Sequence, residues 1–425
     1  MDQQGKGGGS SGRGEYDTEV MDIEDADAAF VLGRSGSTKT KIAKVSGARL
    51  DLDENKHTLE IGGTPDARRR ARDYIGYVLS QRTGDVYIDL NEQRDDLSVV
   101  TVPEDCVGYV MGKGGQVLRQ MEQEWGTLMF FAKVKEDTSI GEKLAIFGTK
   151  RGRRGSELKV MSAVEHKHPG YYISSDNDLK EPLNQPGDDD PSGDWGYDTY
   201  FLSEDEFSYA LGSYGTTRKK LAAASNCIME YVGTLAILAG YRDERQRAMD
   251  YLKWLLAQRK SSCVVDTQGR EDFNELDMPS DSVGFVTGHK GEGLRNVEKE
   301  TDTFCFTNGE RGSDEKHERL LIFGAFRSNR KKAKEKIEDK IRESQDRDRG
   351  GGSSRGRGRD DYRDRGRGRR KDDRSKTYED NYYDDYDKGG KDSRKSRSRS
   401  KRKRRSRSKS RHRSPSYSED YSRRR

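Results

Sequence analysis

Residues 31–54 read VLGRSGSTKTKIAKVSGARLDLDE, a glycine turn followed by hydroxyls, a lysine and a helical pattern, which is the chemistry of phosphate binding. One form of it, the nucleotide P-loop, needs glycine directly before the lysine so that the backbone wraps the phosphates. Here Thr38 precedes Lys39, so that wrap is excluded, and an ATP-hydrolysing reading goes with it. What remains is a glycine turn opening a helix, whose backbone N–H groups and dipole can hold a phosphate of any origin.

The turn recurs, and its repetition defines the elements that must carry it. G-x-x-G stands at Gly33–Gly36, Gly112–Gly115, Gly212–Gly215 and Gly288–Gly291. Three residues before each first glycine is an aromatic (Phe30, Tyr109, Tyr209, Phe285), and nine after it an apolar residue (Ile42, Met121, Leu221, Val297) expected to face a core. Fourteen residues after it come Gly47, Gly126, Asn226 and Asp302, types suited to the left-handed position that ends a helix. A strand follows, then a second with a shared L-x-I core (TLEIGG, LAIFGT, LAILAG, LLIFGA), then a charged amphipathic helix. Each unit therefore reads strand, helix, turn, helix, strand, strand, helix.

That order and signature resemble the type I KH domain family, in which the motif runs roughly I-G-x-x-G-x-x-I-x-x-I-x-x-x-(S/T)-G-A-x-I. The first unit matches as LGRSGSTKTKIAKVSGARL and the second as MGKGGQVLRQMEQEWGTLM. The resemblance implies an α+β fold of four tandem type I KH domains, each a three-stranded antiparallel sheet packed on three helices in the order βααββα. It sets the domains at residues 15–81, 97–165, 195–260 and 273–345. The linkers are then residues 82–96, an acidic flexible stretch over 166–194, and 261–272, with residues 1–14 disordered.

In that family the turn clamps the backbone of about four nucleotides of a single strand. The resemblance therefore assigns RNA binding to Gly33, Arg34, Ser35 and Gly36, to Gly112, Lys113, Gly114 and Gly115, and to Gly288, His289, Lys290 and Gly291. The third turn, Gly212, Ser213, Tyr214 and Gly215, has no cation inside it, and Arg218, Lys219 and Lys220 are the residues that could compensate. Otherwise that unit is a spacer or a protein contact. Arg49 is either a base-edge reader or a solvated strand residue. RGRRG at residues 151–155 reads as a basic loop supplementing RNA contact rather than a solvated insert. The four aromatics read as packing against each unit's final helix rather than stacking on bases.

The units also pair. Two and four share Pro103 or Pro279, a V-G-aromatic-V-x-G phrase and a Leu-Arg after the turn; one and three share Ser or Thr pairs and a following base. This alternation suggests duplication of a two-domain block, and the length of the 166–194 linker suggests two blocks tethered by a flexible coil.

Composition bounds the rest. Of 425 residues only 30% are hydrophobic and 37% are charged, so much of the chain is not core. No run of 18 apolar residues and no N-terminal signal pattern is present, which suggests a soluble intracellular protein without membrane attachment. Four dispersed cysteines point to neither disulfides nor a metal site, and no catalytic constellation, cofactor or small-molecule substrate is indicated. The net charge of +5 hides an asymmetry: residues 391–425 carry 17 Lys or Arg against 3 Asp or Glu, which leaves the remainder acidic.

Residues 346–390 are rich in Arg, Gly, Asp and Tyr and read as disordered. Residues 391–425 resemble the RS domain of SR-type splicing proteins. That likeness implies partners among SR-type splicing or mRNA-processing proteins, and an RS-directed protein kinase acting on Ser396, Ser398, Ser400, Ser406, Ser408, Ser410 and Ser414. Lys401, Arg402, Lys403, Arg404 and Arg405 form a nuclear-import candidate. The combined expectation is a nuclear single-stranded RNA-binding protein of pre-mRNA processing or splicing. The alternatives are a shuttling regulator of mRNA stability or translation, and an interaction scaffold.

Overall fold

The computed structural model describes residues 16–350, apart from 54, 91, 93, 135–140, 184–192, 261–262 and 309–316. The expectations for residues 1–14, for 351–390 and for the RS-like tail lie outside the described residues.

Four units with one element order follow each other. The first comprises β1 (Asp17–Asp22), α1 (Asp25–Leu32), a 3₁₀ turn (Arg34–Gly36), α2 (Ser37–Ser46), β2 (Arg49–Asp53), β3 (Thr58–Gly63) and α3 (Pro65–Thr83). In the second, a short β4 (Tyr87–Ile88) precedes β5 (Leu97–Val102), α4 (Glu104–Met111), the turn Lys113–Gly115, α5 (Gln116–Trp125), β6 (Leu128–Val134), β7 (Glu142–Phe147) and α6 (Lys150–Lys167). The third runs β8 (Trp195–Phe201), α7 (Glu204–Leu211), Ser213–Gly215, α8 (Thr216–Ser225), β9 (Ile228–Val232), β10 (Leu235–Tyr241) and α9 (Arg242–Lys260). The fourth runs β11 (Phe273–Pro279), α10 (Ser280–Thr287), His289–Gly291, α11 (Glu292–Thr301), β12 (Phe304–Asn308), β13 (His317–Phe323) and α12 (Arg327–Gly350).

In every unit the last strand is central and pairs antiparallel with both others, as in the orders β1-β3-β2, β8-β10-β9 and β11-β13-β12. Residues Ile42, Met121, Leu221 and Val297 are buried in the cores. Gly47, Gly126, Asn226 and Asp302 end the second helices in left-handed conformation, with φ of 77°, 65°, 58° and 48°. The final helices start on local chemistry: Thr64 caps α3 by accepting from the Ala67 N–H, with Pro65 in the first turn where its missing N–H costs nothing.

One arginine recurs at the start of all four final helices. Arg68, Arg153, Arg245 and Arg330 each donate from Nη1 to the carbonyl at the end of the central strand, at Gly63 (2.7 Å), Gly148 (2.7 Å), Gly240 (2.7 Å) and Gly324 (2.6 Å). Residues 151–155 are therefore no basic loop. They lie in α6, where Arg153 and Arg154 are buried, Arg153 also bonding Ser98 and Arg154 bonding Glu157. Desolvated guanidinium groups need such partners; Gly148 and Glu157 are near in sequence, whereas Ser98 is 55 residues away.

The junctions between units repeat as well. The far face of each following sheet is apolar, and the closing helix of the preceding unit covers it. Tyr74, Ile75 and Val78 of α3 pack with Leu128, Phe130, Ala145 and Phe147. Leu158 and Met161 of α6 pack with Ile228, Val232, Leu235 and Ile237. Tyr251, Leu252 and Leu255 of α9 pack with Phe304, Phe306, Leu321 and Phe323. The first sheet differs: its far face exposes Thr18, Val20, Asp22, Arg49, Asp51 and Glu60.

Two linkers are therefore more structured than the sequence reading made them, and the flexible coil over 166–194 is corrected in its first part. Residues 82–96 contribute β4, which pairs parallel to β6, and the buried Val86, Ile88, Arg94 and Asp96. The first part of the 166–194 stretch is also fixed. Glu165 accepts from the Gly170 and Tyr172 N–H groups, the Tyr172 hydroxyl donates to the Thr101 carbonyl at 2.6 Å, and Ile173 and Leu183 are buried beside Trp195. Acidic average composition concealed these apolar anchors. The second and third units are thus packed together and not tethered by a coil, and α12 continues to Gly350, with Arg347 over the Phe285 ring at 4.8 Å.

Candidate nucleic-acid interface

The four turns share one backbone conformation. The first glycines have φ of 67°, 67°, 69° and 69° with ψ close to 180°, a combination only glycine adopts readily. A Cβ there would also sit 2.2 Å from the Thr38 hydroxyl, 2.3 Å from Val117, 2.2 Å from the Thr217 hydroxyl or 2.9 Å from the Gly293 N. The third position is left-handed in every unit, occupied by Ser35, Gly114, Tyr214 and Lys290. The last glycine then starts the second helix, and no side chain caps that helix in any unit. An uncapped helix start behind an exposed turn is a place where an anion replaces the missing cap.

Arg34, Ser35, Lys113, Gly114, His289 and Lys290 are not buried and lie on these turns. Two residues that the motif reading passed over brace them. Arg119 donates to the Gly114 carbonyl at 2.7 Å, and Arg295 to the Lys290 carbonyl at 2.5 Å. Both belong to the Leu-Arg pairs that set units two and four apart in sequence, so the signal was present without its meaning. Each places a guanidinium beside the turn.

The first and second turns open on one cleft of about 600 Å³. Phe30, Gly33, Arg34, Thr38 and Lys41 line one side; Met111, Gly115, Leu118, Arg119 and the β6 residues Met129 and Phe131 line the other. Lys41 crosses it to Glu122, with Nζ 2.9 Å from both carboxylate oxygens, while Glu122 also accepts the Met129 N–H at 2.9 Å. Units three and four repeat the arrangement: Lys220 meets Glu298 at 3.0 Å, and Glu298 accepts the Cys305 N–H at 2.8 Å. Burial pushes both carboxyls above their ordinary value, against the pull of the lysines and the strand amides.

The third unit differs. Its space between α7 and β9 is reduced to a cavity of about 230 Å³, where Phe207, Leu211, Glu230 and Tyr231 face Ser162, Glu165, His166 and Pro169 of the second unit. Arg218 is not open beside its turn: it is buried, with Nη1 at 2.8 Å from Glu230 and bonded to the Met229 carbonyl. Lys220 is committed to Glu298, and Lys219 stays exposed. Arg49 does not join its turn either. It lies on the opposite side of β2 from the buried Leu50, 3.6 Å from Asp51.

The aromatics divide. Tyr109 stacks on His166 of α6, and Phe285 lies under Arg347 of α12, so those two pack on their final helices. Phe30 and Tyr209 are 39% and 41% exposed, and Phe30 faces the cleft. Packing describes units two and four only.

The KH domain family matches this chain at residues 18–76, 97–154 and 274–339. Three successive stretches of the chain thus match the KH domain. Among its relatives, the human Tudor and KH domain-containing protein is 26% identical over 180 residues, 41% of this chain and 30% of that protein. Human far upstream element-binding protein 2 is 21% identical over 166 residues, 36% of this chain and 23% of that protein. The Drosophila melanogaster RNA-binding protein Pasilla is 21% identical over 149 residues, 32% of this chain and 19% of that protein. The chain thus spans less than a third of the length of each. In KH terms, each groove runs between the helix pair with its turn and the second strand of the sheet.

Proposed function

We propose that this chain binds single-stranded RNA through the turns of its first, second and fourth units, and that the third unit, also KH-like, serves as a structural joint. The observation that carries this is the shared turn: a glycine-only backbone, an uncapped helix start, cations at Arg34, Lys113 and Lys290, and the imidazole of His289 beside the last of them. Backbone N–H groups and nearby cations supply phosphate contact, while the groove beside them turns bases toward a strand. The name of the Drosophila relative supports the choice of RNA. The third turn keeps the backbone and lacks the cations, and its groove is roofed by the second unit, which favours a scaffold role there.

The tail extends the proposal. Alternating Arg and Ser at residues 391–425 offers a positive surface that phosphorylation of Ser396, Ser398, Ser400, Ser406, Ser408, Ser410 and Ser414 would discharge. With the basic run Lys401–Arg405 this supports a nuclear protein of pre-mRNA processing, recruited by SR-type partners and regulated by an RS-directed kinase.

One titration series tests the reading. Replacing the middle residues of a turn by two aspartates sets anions against phosphate. Affinity of the full chain for a random-sequence single-stranded RNA should fall about tenfold or more for R34D/S35D, K113D/G114D and H289D/K290D, and little for S213D/Y214D. Greatest damage from the third pair would contradict the assignment. In the same series a chain ending at residue 390 should show a shallower loss of affinity with salt, because fewer counterions are released. An unchanged slope would remove the tail from RNA contact.

A further inference from the structure

Two turns open on one cleft, and that bears on what the first two units hold. The space of about 600 Å³ is bounded by the first glycine of one turn and the last glycine of the next. Its walls carry cations from both units, Arg34 and Lys41 with Phe30 on one side and Arg119 with Phe131 on the other. A volume in that range suits parts of a ligand rather than a whole folded partner. The units cannot drift apart to serve separate strands, because α3 is packed on the second sheet and Lys41 is tied to Glu122.

We infer that units one and two form a single composite site for one uninterrupted RNA strand, which passes from the Gly33 turn through the cleft to the Gly115 turn. This rests on the RNA-binding reading above and adds the length and continuity of the ligand. Each turn clamps about four nucleotides, so adjoining footprints cover about eight without a spacer. Phe30 and Phe131 offer apolar surface to bases crossing between the clamps. Lys41 is the cation at the crossing. Glu122 holds it at the cleft wall, where a passing phosphate meets it.

The test uses the full chain with its fourth turn disabled by H289D/K290D, titrated with fluorescein-labelled random-sequence RNA of four and of eight nucleotides. Ser35 and Gly114 already have left-handed φ of 55° and 58°, a conformation that aspartate tolerates, so the substitutions needed should leave the fold intact. Circular dichroism of each variant checks this. The expected result is one eight-nucleotide strand per chain, bound at least about tenfold tighter than the four-nucleotide strand, because the second clamp closes intramolecularly. Either R34D/S35D or K113D/G114D should then reduce the eight-nucleotide strand to the affinity of the shorter one. Two eight-nucleotide strands per chain, or equal affinity for both lengths, would overturn the composite site and leave RNA binding standing. No binding of either length by the chain with all turns intact would overturn the RNA reading, and the composite site with it.

Discussion

At the scale of residues, the same polar cluster occurs at two junctions. Arg94 bonds Asp96 at 3.0 Å and Asp73 at 2.8 Å, and the Tyr74 hydroxyl donates to Asp96 at 2.8 Å; Arg270, Asp272, Asp250 and Tyr251 repeat it. With Arg94 and Asp96 side chains 6% and 3% exposed, removing the cation leaves a buried carboxylate held only by the Tyr74 hydroxyl and by Arg70 at 3.6 Å. Arg94→Ala should therefore cost about 3–5 kcal/mol in urea unfolding. A loss near zero would mean that the junction is not formed in solution. Burial alone would raise the Asp96 carboxyl, but the bonds from Arg94 and Tyr74 hold it below its ordinary value. A depressed carboxyl stabilises the fold above the ordinary range near pH 4 and ceases to as pH falls through the lowered value. Asp96→Asn should accordingly flatten the acid limb of stability below about pH 4. The Lys41–Glu122 and Lys220–Glu298 pairs do leave a trace in the sequence, with Lys eight and Glu ten residues after the first glycine in alternate units, a spacing that the motif reading passed over. Sequence alone did not say that they meet across a junction.

Elements were legible where periodicity and turn chemistry agreed, as in all four turns, their helices and the left-handed residues that end them. They were misread where charge was taken for solvent. Helix α6 has Arg151, Arg153 and Arg154 in its first turns, yet both faces are covered, by its own sheet on one side and by β9 and β10 on the other. Its glycines explain how. A Cβ at Gly155 would sit 2.2 Å from the Trp125 ring, and one at Gly152 would sit 2.7 Å from the Trp125 carbonyl. Helix propensity favours alanine over glycine by about 1 kcal/mol. Overpacking here should reverse that sign, so Gly155→Ala should destabilise by about 1–3 kcal/mol by thermal or urea unfolding. Stabilisation instead would show that Trp125 does not occupy this place.

For the whole described region, one contact is used three times: a closing helix on the far face of the next sheet. Among the described residues no unit packs on the far face of the first sheet, which exposes mostly polar side chains with Val20 among them. Pairing of units one and three, and of two and four, was readable from the signatures, and the duplicated Lys–Glu and Arg–Asp junctions agree with it. The join between blocks was not readable, because Tyr172, Ile173 and Leu183 are few among acidic residues and anchor only once α6 and Trp195 are in place. The proposed function therefore sets RNA on the first, second and fourth of these connected units. Photo-crosslinking tests this most directly: a random-sequence RNA containing 4-thiouridine is bound to the full chain, irradiated, and the attached peptides are mapped. The expected result is attachment around Phe30–Lys41, Met111–Phe131 and Phe285–Arg295, with none at Phe207, Tyr214 or Tyr231. Attachment concentrated on those third-unit residues, or absent from the other three turns, would contradict it.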